Sequence, residues 1–383
     1  PQKPDKDDTE TEEQEGPVGY PKEGVAKVKT LQTTGYFKET KIMEGIIHYE
    51  FFGKDDVSGA HQNVNVLEVD LNNDAYKINF FRTNRDTTSA VAKKQKAIAA
   101  INACYEDDAI YLRVNGNNYS QVKLEPDHLR FWKHEAAIVG DGKRKVGMVY
   151  GAKGTSSIRE GGIKAIEVYK SLTEKNIYAS APMLIDNYVP VGTRFIPVDY
   201  SSSQLKQFDS EDYRRHQGGR NPRVAVALTE DNDILFIVVD GRFSGKAEGM
   251  SAKELTKFIA KHFNPQWAIN MDGGGSSTMY IDGYGDRHDD EVYKPQKDGN
   301  GVQVVETLEG WSYGSVSAIN KAGLEADLGT TFYQRIAPKM TPVGLEPQEG
   351  YKLTYFPGIN GRPLGASSTS SVGNRTMPNV GDL

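Results

Sequence analysis

Short runs of β-branched and aromatic residues alternate with Gly, Asn and Asp clusters along much of the chain, the pattern of strands joined by turns. Ile46–Phe52, Val64–Leu71 and Tyr76–Arg82 predict early strands. Val91, Gln95 and Ile98 fall on one face of a helix predicted over Thr88–Ala99, and Ala99–Cys104 follows as a short buried strand. Further strand-length runs lie at Ile110–Val114, Ala136–Val139, Lys145–Tyr150 and Ile163–Tyr169.

The clearest organisation lies between Asn221 and Ile281. Arg223–Leu228 and Ile234–Val239 are β-rich runs separated by Asp231-Asn232-Asp233, a hairpin-turn sequence. Ser251 with Glu254 three residues on is a capping box, and Met250 with Leu255 is the matching staple. Leu255, Phe258, Ile259 and Phe263 then keep helical spacing until Asn264-Pro265 stops them, and Trp267–Met271 predicts the next strand. A strand, a helix and a strand in this order predict a right-handed βαβ crossover with its two strands parallel. Asp240 and Asp272, each just past its strand, then emerge at one edge of the sheet, where ligands tend to bind. Asn102 sits likewise at the end of the strand after the first helix.

The predicted fold class is α+β: a mixed, mainly antiparallel sheet with at least one parallel βαβ pair and two principal helices. Strand-like runs outnumber helices and regular β-α alternation is absent, which argues against a doubly wound sheet. The 383 residues divide into an acidic tether over 1–24, a main domain over 25–325 and a C-terminal extension over 326–383, partly disordered. The Gly-, Ser-, Pro- and Asn-rich stretch from Gly358 marks the weakest part of that extension.

Charge changes this picture at one end only. The formal charge is −6, and seven acids against Lys3 and Lys6 in the first sixteen residues contribute −5 of it. The rest is nearly neutral, which argues against a nucleic-acid partner. Pro1–Gly16 has no aliphatic or aromatic side chain, so it cannot repay its ordering entropy. Such a stretch suits an exported bacterial protein, periplasmic or at the cell surface, with a lipid anchor compatible; no run is long and apolar enough for a membrane span. The single cysteine, Cys104, excludes an internal disulfide framework and a site built on several thiolates. It lies in an apolar stretch and is expected to be an inert buried thiol.

Met271-Asp272-Gly273-Gly274-Gly275-Ser276-Ser277 is the sharpest motif. Three glycines let a backbone approach a ligand and turn N–H groups toward an anion, with two serine hydroxyls beside them. There is no Gly-Lys-Ser/Thr, so this is no P-loop, and Thr278–Ile281 continues as a strand; the plainer alternative is a tight hairpin turn. Asp240-Gly241-Arg242 by itself is a turn sequence, lifted by the edge it shares with Asp272. Arg223, after Pro222, offers a planar fork to a phosphate or carboxylate, or else a surface ion pair. His216 and His288 lie in polar segments and are expected to be solvated. Asp286, Asp289, Asp290 and Glu291 form an acidic loop, which is either a solvated charge run or a holder for a cation.

Asn221-Pro222-Arg223, Asp240-Gly241-Arg242, Gly249-Met250-Ser251 and Asn270–Ser277 occur in the order and spacing of the phosphodiester glycosidase family, which the chain resembles over roughly residues 95–320. Ala100–Tyr105 is similar to the family's earlier Ile-Asn-Gly-Gly-Phe-type turn, and Ala179–Leu184 to its segment before a Pro and an aliphatic pair. Two departures stand out: Ala103 and Cys104 replace glycines after Asn102, and Gly314–Ile319 stands where an Arg-Pro-Val-Ala-Asn-like run is usual.

The resemblance implies a hydrolase acting on a sugar-1-phosphodiester, with an N-acetylglucosamine-like sugar among the candidates, since the family's animal member removes that sugar from phosphodiesters. Asp240 and Asp272 are then the candidate nucleophile or general base, their carboxyl groups about 5–10 Å apart as in glycosidase acid pairs. Arg223, Arg242 and the Gly273, Gly274 and Gly275 backbone would stabilise the departing phosphate, with Ser276 and Ser277 alongside. Asn102 and Asn270 would bond sugar hydroxyls or the N-acyl group. No cofactor is implied, and a divalent cation stays open. The alternative is a non-catalytic cell-surface glycan-binding protein on the same fold; a third reading is a metal-dependent phosphoesterase using the acidic loop.

Overall fold

The computed structural model describes residues 16–83, 86–106, 109–120, 130–192, 196, 199–283, 285–286, 296–297, 303–304 and 315–323. Expectations for residues 1–15, 289–291 and 324–383 fall outside the described residues, as does His288.

An eight-stranded sheet forms the centre, in the order Val189–Pro190, Met183–Asp186, Trp267–Asn270, Arg223–Leu228, Asp233–Val239, His61–Asp70, Ile46–Lys54 and Lys38–Met43. Its middle strands are buried on both faces, so they are continuous apolar runs rather than alternating ones. Val224, Val226, Phe236, Val238, Ile269 and Met271 pack into the larger core. Ala225, Ala227, Leu235, Ile237 and Val239 face the opposite way, against Leu255, Phe258 and Ile259 of the Ala252–His262 helix. A five-stranded sheet (Gly285–Asp286, Met279–Ile281, Ala99–Asn102, Ser315–Lys321, Tyr76–Arg82) and a six-stranded one that includes Ala136–Gly140 and Asn176–Ser180 share the larger core. Val18–Gly19, inside the segment expected as a tether, pairs antiparallel with Val146–Val149.

The mainly antiparallel α+β class stands, but the parallel βαβ pair does not: among the described residues every strand pairing is antiparallel. The reason is local. Arg223–Leu228 lies between Asp233–Val239 and Trp267–Asn270 and pairs antiparallel with both. The outer two therefore run in the same direction without touching, and the helix between them crosses over one strand. The shared sheet edge for Asp240 and Asp272 survives this correction.

Helix ends follow local chemistry. The capping box at Ser251 and Glu254 is present, and Asn264 ends that helix in a left-handed conformation at φ 42°. The first helix is shorter than its periodicity suggests, Thr88–Lys94. Lys96 turns left-handed at φ 50° and the Ala97 N–H reaches back to the Ala92 carbonyl, a Schellman-type stop. Ile163–Tyr169 is not a strand; it belongs to the longest described helix, Ile158–Ser171, capped by Ser157. Gly161, Gly162, Ala165, Ile166 and Tyr169 form its buried stripe. Among the described residues no helix is long and apolar enough to cross a membrane.

Candidate active site

The motifs that lie far apart in sequence converge on Asn221-Pro222-Arg223. Gly241 and Gly273 approach Pro222 from two neighbouring strand ends. A Cβ at Gly241 would stand 2.5 Å from the Pro222 nitrogen, and one at Gly273 would stand 2.6 Å from its carbonyl oxygen. Only glycine fits both places. Met250 exchanges backbone hydrogen bonds with Asn221, which fixes the start of the capped helix to the same point.

Asn102 clasps the glycine loop. Its Nδ2 donates to the Asp272 carbonyl at 2.7 Å, and its Oδ1 accepts from the Thr278 N–H at 3.0 Å. One buried side chain thus bonds both ends of the loop. Inside it, Gly274–Ser276 make a 3-10 turn. The N–H groups of Gly274, Ser276 and Ser277 bond to Pro222, Gly273 and Gly274 carbonyls. The open anion cradle expected of three glycines is therefore largely closed, because the turn consumes its own donors.

The two arginines separate. Arg223 is buried, and its Nε and Nη2 donate to the carbonyls of Met250, His216 and Gly219, each at 2.8 Å. Burial draws its guanidinium down to about 10, still cationic near neutrality. It holds backbone together. Arg242 instead takes a left-handed backbone at φ 70° and donates from Nη2 to Asn221 Oδ1 at 3.2 Å. Its guanidinium lies beside Gly274, 3.3 Å from where a Cβ would stand.

Asp240 and Asp272 flank the N-terminal end of Arg223–Leu228. The register pairs Arg223 with Val239 on one side and Ala225 with Asn270 on the other. The two aspartates therefore lie about two strand spacings apart, roughly 10 Å between backbones. Asp272 is 9% exposed, and its carboxyl is pushed up to about 8, by burial first and by the charge of Glu106 second. The Ser276 hydroxyl, Lys133 and the Gly273 backbone pull the other way without prevailing. The like charge acting most on it is thus Glu106, where the sequence pointed to Asp240. Asp272 Oδ2, Asn270 Oδ1, Ser276 Oγ and Ser277 Oγ are buried without a protein partner, four orphaned acceptors or donors within eight residues of chain. Orphans of this kind cost about 1–3 kcal/mol each unless water or a ligand meets them. Asn270 spends its Nδ2 on Tyr105 Oη and the Ala181 carbonyl.

Several charged neighbours of Asp272 carried no signal. Lys133, 2% exposed, lies 3.0 Å from Glu211 and 3.4 Å from Glu106, with its ammonium 4.7 Å over the Tyr105 ring. Although burial works against the charge of Glu106, Lys133 holds that carboxyl below its usual range. His216 is part-buried rather than freely solvated: its ring packs against Tyr105 and Trp132, and burial together with Arg223 holds its pKa well below the usual value. Cys104 is the buried thiol expected, pushed up to about 12 by burial.

The two departures from the family pattern touch each other. Cys104 N–H donates to Ser315 Oγ at 3.1 Å, Ser315 Oγ lies 3.1 Å from Cys104 Sγ, and the Ala103 N–H bonds the Ser315 carbonyl. Away from all this, a cleft of about 670 Å³ opens at the Tyr76 end of the five-stranded sheet, lined by Lys77, Lys143, Arg144 and Lys175 among others. That is the opposite end of the sheet from Ser315, which pairs with Arg82.

The glycine loop, clasped at strand ends, thus lies beside a buried aspartate and the Arg242 guanidinium. The phosphodiester glycosidase family model matches residues 95–307, more than half of the chain, and the chain belongs to that family. Membership supports a hydrolase-type function and a sugar substrate at the level of the family. No curated protein matches the chain. Among solved structures, the zebrafish N-acetylglucosamine-1-phosphodiester alpha-N-acetylglucosaminidase catalytic domain, auto-inhibited by its pro-peptide, is 16% identical at a TM-score of 0.45, covering 76% of this chain and 86% of that one. A hypothetical protein from Synechocystis is 12% identical at a TM-score of 0.43, covering 74% of this chain and 63% of that one.

Proposed function

We propose that the chain hydrolyses the bond between a sugar's anomeric carbon and a phosphodiester oxygen, with an N-acetylglucosamine-like sugar as the first candidate. One observation carries the reading: Asp272 lies buried beside orphaned polar atoms, one strand away from Asp240, where burial pushes its carboxyl up to about 8 and favours the neutral acid. Two carboxyl groups in unlike environments are suited to unlike roles. Asp272 donates its proton to the phosphate oxygen as the anomeric C–O bond breaks. Asp240 takes a proton from the water that attacks the anomeric carbon. The products are a free sugar and a phosphate monoester, and solvent exchange restores both carboxyl groups. Backbones about two strand spacings apart, roughly 10 Å, leave room for that water between the two side chains.

Arg242, the Gly275 N–H and the Ser277 hydroxyl are assigned to the phosphate, and Asn270 Oδ1 to a sugar hydroxyl or N-acyl group. Arg223 and Asn102 are positioning residues, holding backbone at the site. An exported, periplasmic or cell-surface setting goes with this reading, on the strength of the acidic, aliphatic-free stretch ahead of Pro17. The test is purified protein against a panel of sugar-1-phosphodiesters, with the anomer of the released sugar followed by NMR. Absence of turnover across the panel in folded protein would sink the proposal.

The second reading, a glycan-binding protein without chemistry, draws on the Cys104–Ser315 contact, which occupies ground where the family pattern has glycine and arginine. Saturable sugar binding without turnover would select it.

A further inference from the structure

Asp55, Asp56 and His262 lie at the far end of the Ala252–His262 helix from Ser251, roughly 16 Å along its axis from the site's edge. One ligand atom from each lies within 4.8 Å of the other two. Asp55 and His262 are both fully buried. The Asp55 carboxylate accepts from Tyr36 Oη at 2.6 Å and from the Ser58 N–H at 2.6 Å, and no ion pair is recorded for it among the described residues. His262 Nδ1 lies 2.7 Å from the Thr33 hydroxyl, while its Nε2 is buried with no partner. Stacking on Tyr36, with ring centroids 4.1 Å apart, holds the imidazole in place.

This is the layout of a metal-ligating histidine, one nitrogen fixed by a neighbour and the other left for the ion. We propose that Asp55, Asp56 and His262 form a binding site for a borderline divalent cation of the zinc class. One imidazole and two carboxylates suit such an ion, where hard cations favour all-oxygen sites. Asp56, with a side chain 58% exposed, supplies the adjustable arm that closes the ligands around the ion. At present Asp56 pairs with Lys261, itself 42% exposed, so a native cation already occupies the charge position and must swing out to solvent when the metal enters. The bound ion would fasten two separate pieces of chain, the turn after Lys54 and the end of the helix, with Thr33 and Tyr36 bonding the ligating side chains. It stands apart from Asp272 and takes no part in the reaction proposed there.

The experiment uses the full chain, chelator-treated and free of any affinity tag, titrated with zinc chloride by calorimetry and followed by thermal melting. The expected result is one ion per chain with a melting temperature that rises with zinc. His262→Phe keeps the ring packing and should abolish binding; Asp56→Asn, at an exposed position, should weaken it at least tenfold. Lys261→Ala removes the competing cation and should tighten binding several-fold. Absence of saturable binding by the wild-type chain overturns the proposal. So does binding that survives undiminished in both His262→Phe and Asp56→Asn, or that weakens in Lys261→Ala.

Discussion

Replacing Asp272 by Asn separates its chemistry from its architecture, because the two respond to pH in different ways. The carboxyl moves from an ordinary 3.8 to about 8 in the folded chain. Between those values the folded state keeps a proton that the unfolded state has lost, so stability falls as pH rises, by about 1.4 kcal/mol per pH unit. From pH 5 to 7 the contribution is roughly 3 kcal/mol, and it levels off above about pH 8. Asn carries no such charge. The variant should therefore be more stable than wild type near neutrality, by a margin that grows with pH up to that plateau. Urea denaturation of both proteins from pH 5 to 9 reads the margin directly. On the same samples, turnover should drop on the order of 10²–10⁴-fold, the usual worth of a general acid. A margin that stays flat with pH would refute the buried, neutral carboxyl. A less stable variant with residual activity would mean that Asp272 serves the architecture of the glycine loop.

Turnover by wild type should fall above about pH 8, as Asp272 ionises and can no longer donate; a rate that climbs through pH 8 would make it the base or nucleophile instead. Gly273→Ala places a methyl 2.6 Å from the Pro222 carbonyl and should cost about 1–3 kcal/mol together with most activity, read from melting temperature and rate. Lys133→Met takes the ammonium from Glu106 and leaves Glu211 only Arg130, and should destabilise the fold by about 1–3 kcal/mol at neutral pH, with the loss shrinking in acid as Glu106 protonates. Equal losses at pH 4 and pH 7 would remove the ion cluster from the account.

Much of this site is legible in the sequence because it rests on local signals. The capping box at Ser251, the turn around Asn232 and the strand-end aspartates are all set by neighbours within a few residues. The insertion of Arg223–Leu228 between two co-directional strands was not legible, since strand order depends on long-range pairing that no local pattern records. Arg223 looked like a phosphate ligand because a guanidinium fits carbonyls and phosphates equally well, and only burial tells them apart. The Ile158–Ser171 helix had a signal that β-branched residues obscured: Ser157 and Glu160 have the spacing of a helix start. Glu106 and Lys133 had none, because their partners come from separate turns of the fold.

The split placement of Arg223–Leu228 also sets an order of assembly. Its hairpin with Asp233–Val239 is local and closes early, carrying Asp240 with it. Trp267–Asn270 lies on the other flank, with partners about forty residues away and a helix between, and brings Asp272. Last comes Ser315, which reaches Cys104 across 211 residues and closes the strand edge beside the Asp272 loop. Asp240, Asp272 and Ser315 thus join the site through pairings of increasing sequence separation. A chain that has closed only the local hairpin holds Asp240 alone, and the pair of carboxyl groups is complete only once Trp267–Asn270 is seated beside Arg223–Leu228.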